Sequence, residues 1–150
     1  MTLLFLGEVA GAAVGPLTTA VARAVAASPP MTLRIAGAGS FGSRRRPQVC
    51  WAGLAGDVAE LTALAGRLAG AGRELGLPVE DRPFRAHLTV GRWRPGRPAD
   101  PEPVTRLAGY RGPRWPVERV VLLRSHLGPE PRYELVAAWP VGQGPPGGRG

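Results

Sequence analysis

The sequence predicts an α+β protein with helices packed on a mainly antiparallel sheet, and three observations lead there. Two stretches, opening at Pro16 and Asp57, repeat apolar residues at helical spacing, while several short segments alternate or run apolar as strands do. Their order is strand, helix, strand, strand, helix, strand, then strands again. Size agrees, since 150 residues make one domain able to bury about two-thirds of its unfolded surface.

Taken in order, Met1 to Gly7 (MTLLFLG) combines β-favouring and large apolar side chains and reads as a buried strand that starts without a lead-in. Pro16 suits the first turn of a helix with Leu17, Val21, Ala24 and Val25 on one side, ended by Pro29-Pro30. Met31 to Ala36 alternates as a half-buried strand, and Val49 to Leu54 is a second strand. Between them Gly37 to Pro47 is a glycine-rich basic loop; it leads into a strand and not a helix, so the phosphate-cradling Walker and dinucleotide patterns do not apply, and a plain hairpin connection is expected. Asp57 is placed to cap a long helix to Leu75, with Val58, Leu61, Leu64, Leu68, Ala71 and Leu75 inward and Gly76 as its stop. Strands follow at Ala86 to Trp93, Val117 to Arg124 and Tyr133 to Val141, with a Pro-rich loop from Pro95 to Pro103. Residues 142–150, GQGPPGGRG, have nothing to bury and read as a disordered tail.

Composition excludes several classes. A single cysteine, Cys50, rules out an internal disulfide framework and a cysteine-built zinc site, and fits a reducing compartment. The apolar stretch from Leu3 to Val14 is broken by Glu8 and preceded by no basic residue, so neither a signal peptide nor a membrane span is expected, and a cytoplasmic address is. The net charge of +8 fits a polyanionic partner. All 19 basic residues are arginine, however, and lysine and asparagine are missing, the pattern a GC-rich coding sequence gives whatever the function.

The only histidines are His87 and His126. In FRAHLTVGR, strand alternation puts His87 and Thr89 on one face while Leu88 and Val90 enter the core. An imidazole exchanges protons near neutral pH, and a neighbouring hydroxyl can donate to a phosphoryl oxygen. A satisfied, half-buried histidine is the competing reading. A second copy of the pattern sharpens the first: aligned on their threonines, Thr2-Leu3-Leu4 matches Thr89-Val90-Gly91, and the counterpart of His87 would stand one place before Met1.

Thr2 to Gly7 (TLLFLG) and Pro83 to Arg92 (PFRAHLTVGR), with Phe41, Trp51 and the closing Ser125, Gly128, Pro129 and Tyr133, resemble the two-histidine (2H) phosphoesterases, and within them the RNA 2′,3′-cyclic phosphodiesterases, also called 2′-5′ RNA ligases. The resemblance runs from Met1 to Val141. It departs at Ala86, where the family commonly has proline, and at the first histidine with the strand and helix that precede it in the family. The expectation is a domain over residues 1–141 that begins at an internal methionine.

The resemblance implies two pseudo-symmetric lobes of antiparallel sheet, helices on the outer faces, and a central groove. It implies an enzyme that opens a 2′,3′-cyclic phosphate end of RNA to a 2′-phosphate, or in reverse joins a 5′-hydroxyl to it, with two imidazoles as acid and base and no metal or cofactor. His87 becomes one of the proton-transfer groups, and Thr2 and Thr89 the phosphate contacts. Arg85 shares their parity and is a candidate phosphate clamp, against a solvated side chain. Arg92 has the opposite parity and turns inward only at a bulge or strand end. Phe41 and Tyr133 are candidates to stack on a terminal base, with core packing the rival for Phe41. Arg44, Arg45 and Arg46 are a charge run able to follow an RNA backbone or merely to stay solvated. His126 takes a surface or packing role. With one imidazole of the pair, low activity is expected from these 150 residues, as a monomer. The alternatives are an inactive nucleotide- or RNA-binding module of the same fold, and a phosphodiesterase for a small cyclic nucleotide.

Overall fold

The computed structural model describes residues 1–43, 45–94, 99–126, 128 and 132–142. Helix α1 (Gly11–Ala26) is followed by strands β1 (Thr32–Ser43) and β2 (Arg46–Gly56), helix α2 (Val58–Glu74), strand β3 (His87–Arg92), helix α3 (Glu102–Ala108), and strands β4 (Trp115–Pro116), β5 (Arg119–His126) and β6 (Arg132–Pro140). One sheet has the order β3-β2-β1-β4 and the other pairs β5 with β6, and every pairing is antiparallel. The α+β class read from the sequence is therefore the class observed. Among the described residues no helix is long and apolar enough to cross a membrane.

One core joins both sheets. Leu17, Val21 and Val25 of α1 meet Leu61, Leu64 and Leu68 of α2, with Met31 and Leu33 from the four-stranded sheet and Val120 and Val141 from the β5–β6 end. Two apolar helical stripes need each other and a sheet to leave water, and this cluster supplies both. Arg67 ties the helices further, its Nε donating to the Ala24 carbonyl at 3.2 Å and its Nη2 to the buried Ser28 hydroxyl at 2.8 Å.

Several local expectations are corrected, among them the placing of Val90 in the core, since it is 54% exposed. Residues 1–10 form no strand; Leu3, Leu4, Leu6 and Val9 pack on the core, but no neighbouring strand pairs with their backbone among the described residues. A strand requires such a neighbour, whatever its side chains favour. Helix α1 starts at Gly11, so Pro16 lies inside it and not at its first turn. The stretch Gly37 to Pro47 is mostly strand, extending β1 and β2 into a long hairpin. Of the expected Pro-rich loop, residues 95–98 lie outside the described residues and its end is the start of α3, where Pro101 and Pro103 are tolerated because first-turn amides need no helical acceptor.

Asp57 does precede α2, yet its carboxylate does not cap it. Oδ2 accepts the Thr32 backbone N–H at 2.8 Å while the Asp57 N–H donates to the Thr32 carbonyl at 3.1 Å, locking the helix start to β1. Gly76, at φ +69°, ends α2 as expected: its own N–H bonds to Arg73 and that of Leu77 to Gly72, the paired closure that left-handed glycines allow.

Candidate active site

Paired residues of an antiparallel sheet project to the same side, so the register defines the two faces of β1–β2–β3. The buried side, which α2 helps to cover, receives Leu33, Cys50 and Ala52. The opposite, open side receives Gly39 and Phe41 of β1, Trp51 and Gly53 of β2, and His87 and Thr89 of β3, through the pairs Gly39↔Trp51, Trp51↔Thr89 and Gly53↔His87. His87 and Thr89 are thus neighbours on one face, as their spacing predicts.

Aromatic rings build the floor around the imidazole. Phe41 meets His87 edge to face, with centroids 4.8 Å apart and planes at 89°, and Trp51 lies 5.6 Å from Phe41 at 37°. The Trp51 indole covers Gly39 so closely that no Cβ fits there. Its Nε1 is buried with no hydrogen-bond partner among the described residues. The Arg85 guanidinium lies 5.8 Å from the Phe41 centroid, on the same group of rings.

The backbone also selects the tautomer of His87. Nδ1 lies 2.6 Å from the Arg85 carbonyl oxygen. A carbonyl only accepts, so Nδ1 carries the hydrogen and Nε2 is left as the nitrogen able to take or give a proton toward a ligand. An imidazole oriented in this way beside an exposed hydroxyl and a guanidinium is suited to proton transfer at a phosphoryl group. Among the described residues no group of His, Cys, Asp and Glu is placed to hold a metal ion.

The remaining candidates are distributed as follows. Arg92 joins the open face, because the ladder shifts between Trp51↔Thr89 and Cys50↔Gly91; Val90 is the extra residue, and Arg92 comes opposite Val49. This is the bulge its parity required. Thr2 is exposed in the irregular N-terminal segment and makes no hydrogen bond to β3. Its neighbours Leu4 and Leu6 sit over Gly72 of α2. Tyr133 is on the other sheet, opposite Ser125 and largely exposed. His126 is there too, donating from Nε2 to Glu134 at 2.9 Å, with Arg124 3.6 Å from the same carboxylate. That partnership fits the surface role read for it and holds the Glu134 carboxyl below its ordinary range. Arg44, Pro129 and residues 143–150 lie outside the described residues. Sequence reasoning missed the contact of Phe41 with His87 and the seat of Trp51 on Gly39; glycine opposite a tryptophan in adjacent strands was the available signal.

Comparison with known proteins gives a consistent result. The RNA 2′,3′-cyclic phosphodiesterase of Geobacillus stearothermophilus is 36% identical over 150 residues, covering 99% of this chain and 47% of its own length. The Thermus thermophilus protein of the same name is 33% identical over 142 residues, covering 91% of this chain and 68% of its own. The chain thus spans about half the length of the first relative and about two-thirds of the second. A crystal structure of a Thermus thermophilus protein superposes with a TM-score of 0.76 at 29% identity, over 94% of this chain and 76% of that one. Escherichia coli LigT, crystallised with 3′-AMP, superposes with a TM-score of 0.73 at 25% identity, over 95% of this chain and 76% of that one. The family model of the 2′-5′ RNA ligase superfamily matches residues 1–129, and the chain belongs to that superfamily.

Proposed function

We propose that the open face of β1–β2–β3 binds a 2′,3′-cyclic phosphate at the end of an RNA and takes part in opening it to a 2′-phosphate, the activity for which the curated relatives are named. The observation that carries this reading is the His87–Thr89 pair, with Nδ1 of His87 committed to the Arg85 carbonyl. His87 exchanges a proton through Nε2, either with the attacking water or with the departing 3′ oxygen. Thr89 donates its hydroxyl to a phosphoryl oxygen, and Arg85 offsets the charge that develops there. Thr2 is assigned the same role as Thr89, by its match in the repeated motif. Phe41 supports the imidazole, and Tyr133 offers a ring for a base.

In-line opening of the ring needs an acid and a base on opposite sides, and one imidazole cannot serve both. The second histidine of the sequence, His126, is bound to Glu134 on the other sheet. Hydrolysis by these 150 residues alone is therefore expected about 10²–10⁴-fold below that of a two-imidazole site. The reading includes a soluble, cytoplasmic, monomeric protein working without metal or cofactor.

The test is single-turnover hydrolysis, with protein in excess over an oligoribonucleotide ending in a 2′,3′-cyclic phosphate. Slow conversion to a 2′-phosphate that is lost in His87→Ala supports the reading. An unchanged rate in His87→Ala removes the imidazole from the chemistry, and a 3′-phosphate product removes the proposed leaving group.

A further inference from the structure

Among the described residues, Trp51 Nε1 is the buried side-chain polar atom that the fold leaves without a hydrogen-bond partner. Trp93, just past β3, shows the ordinary outcome: its Nε1 donates to the Asp100 carbonyl at 3.0 Å. An indole N–H only donates, and a buried donor without an acceptor keeps its full desolvation cost. Trp51 carries that cost on the same open face as His87 and Thr89.

Two glycines show where the ring lies. A Cβ at Gly39 would fall 2.9 Å or less from Cζ2, Cη2 and Cε2, and one at Gly53 would lie 3.6 Å from Cζ3. The indole therefore leans from β2 toward β1, away from β3, and Nε1 is bonded to an atom seated over Gly39. Neighbouring strands are about 4.8 Å apart, so this N–H stands one to two strand spacings, roughly 5–10 Å, from the strand of His87 and Thr89. The adjoining ring, Phe41, has its centroid 5.6 Å away but no oxygen or nitrogen to accept the hydrogen.

We propose that Trp51 is a specificity residue whose Nε1–H is taken by an acceptor on the base of the bound nucleotide. The proposal rests on the reading that the phosphate lies at His87 and Thr89. From there the attached nucleoside spans the gap to Nε1, whereas a phosphoryl oxygen held by Thr89 does not. The group taken is a base carbonyl or ring nitrogen, since a donor pairs only with an acceptor. Phe41, in ring contact with the indole, shifts to admit it, and the indole keeps its seat on Gly39. Satisfying an orphaned donor in this way is worth about tenfold in affinity.

Two measurements on the full chain test this. In the first, indole N–H resonances are followed during titration with 2′,3′-cyclic uridine monophosphate and, separately, with inorganic phosphate. The Trp51 signal, identified by its loss in Trp51→Phe, is expected to move downfield with the nucleotide and not with phosphate, while that of Trp93 stays. In the second, Trp51→Phe, which keeps a ring and deletes the N–H, is expected to bind the nucleotide about tenfold more weakly and phosphate within about twofold of the unmodified chain. A Trp51 signal that stays put while β3 amides respond to the nucleotide overturns the proposal. So does an equal loss of both ligands in the variant, the mark of a ring that is merely structural. If neither ligand moves the β3 amides, the placing of the phosphate at His87 and Thr89 falls, and the proposal with it.

Discussion

The β1–β2 and β5–β6 pairs are both antiparallel ribbons, but the core backs them unequally. Behind β1–β2, Leu33, Cys50 and Ala52 are 0%, 4% and 4% exposed, and the rings of Phe41 and Trp51 cover the other side. On β5–β6 only Val120 is fully inside, with Leu122 and Trp139 partly so, while Val121, Leu123, Leu135 and Tyr133 are 41%, 48%, 60% and 70% exposed. The candidate side chains follow the same division. His87 sits against a ring and holds a backbone carbonyl, whereas Tyr133 stands on a face with little packed against it. A site side chain is as well placed as the layer behind it.

Core truncation should expose this contrast most strongly. Leu61→Ala removes a side chain that is wholly buried between the helices and the sheet, and is expected to cost about 2–5 kcal/mol. Leu135→Ala, on the exposed face of β6, should stay within about 0.5 kcal/mol. Urea unfolding of the two variants measures both, and similar losses would mean that the ribbon is backed as firmly as the sheet.

Glycine substitutions sharpen the comparison at the level of the site. A Cβ at Gly39 meets the Trp51 indole, whereas one at Gly128, beyond β5, meets nothing within 4 Å among the described residues. Gly39→Ala should cost about 1–3 kcal/mol through displacement of the indole, and Gly128→Ala should be neutral. Near-ultraviolet circular dichroism reads the displacement directly. Because Trp51 lies against Phe41 and Phe41 against His87, the same variant should also weaken the proton transfer proposed for His87. A Gly39→Ala spectrum identical to that of the unmodified chain would show that Trp51 does not depend on that vacancy.

These differences also explain what the sequence revealed. Periodicity located α2 and its Gly76 stop, because an apolar stripe and a left-handed glycine act locally. His87 and Thr89 were legible for the same reason, since two residues on a strand share a face whatever surrounds them. Pairing is not local. The strand expected at residues 1–7 lacks a partner, and a Gly-rich segment expected to loop was pulled into β1 and β2 by their mutual hydrogen bonds. Bulges were equally hidden: parity put Arg92 on the wrong side, and only the extra Val90 reversed it. Asp57 bonds across to Thr32 and not along its own helix, which no capping rule registers.

The smallest expected effect concerns Glu134, where β5–β6 has charge in place of packing. The carboxylate lies between His126 and Arg124, and its pKa is lowered first by the hydrogen bond from His126 and then by the charge of Arg124. A carboxyl group whose folded pKa is depressed stabilises the fold above its unfolded value, and that contribution disappears as pH falls through the lower folded value. It is small here, because the group is open to solvent and screened. Carbon-detected titration should place the Glu134 midpoint below the ordinary range, raise it most in His126→Ala, and raise it less in Arg124→Ala. Stability at neutral pH should hardly change in either variant. If His126→Ala instead unfolded the ribbon, its ion pairs would be holding β5 to β6, and the difference from the packed sheet would be one of means and not of strength.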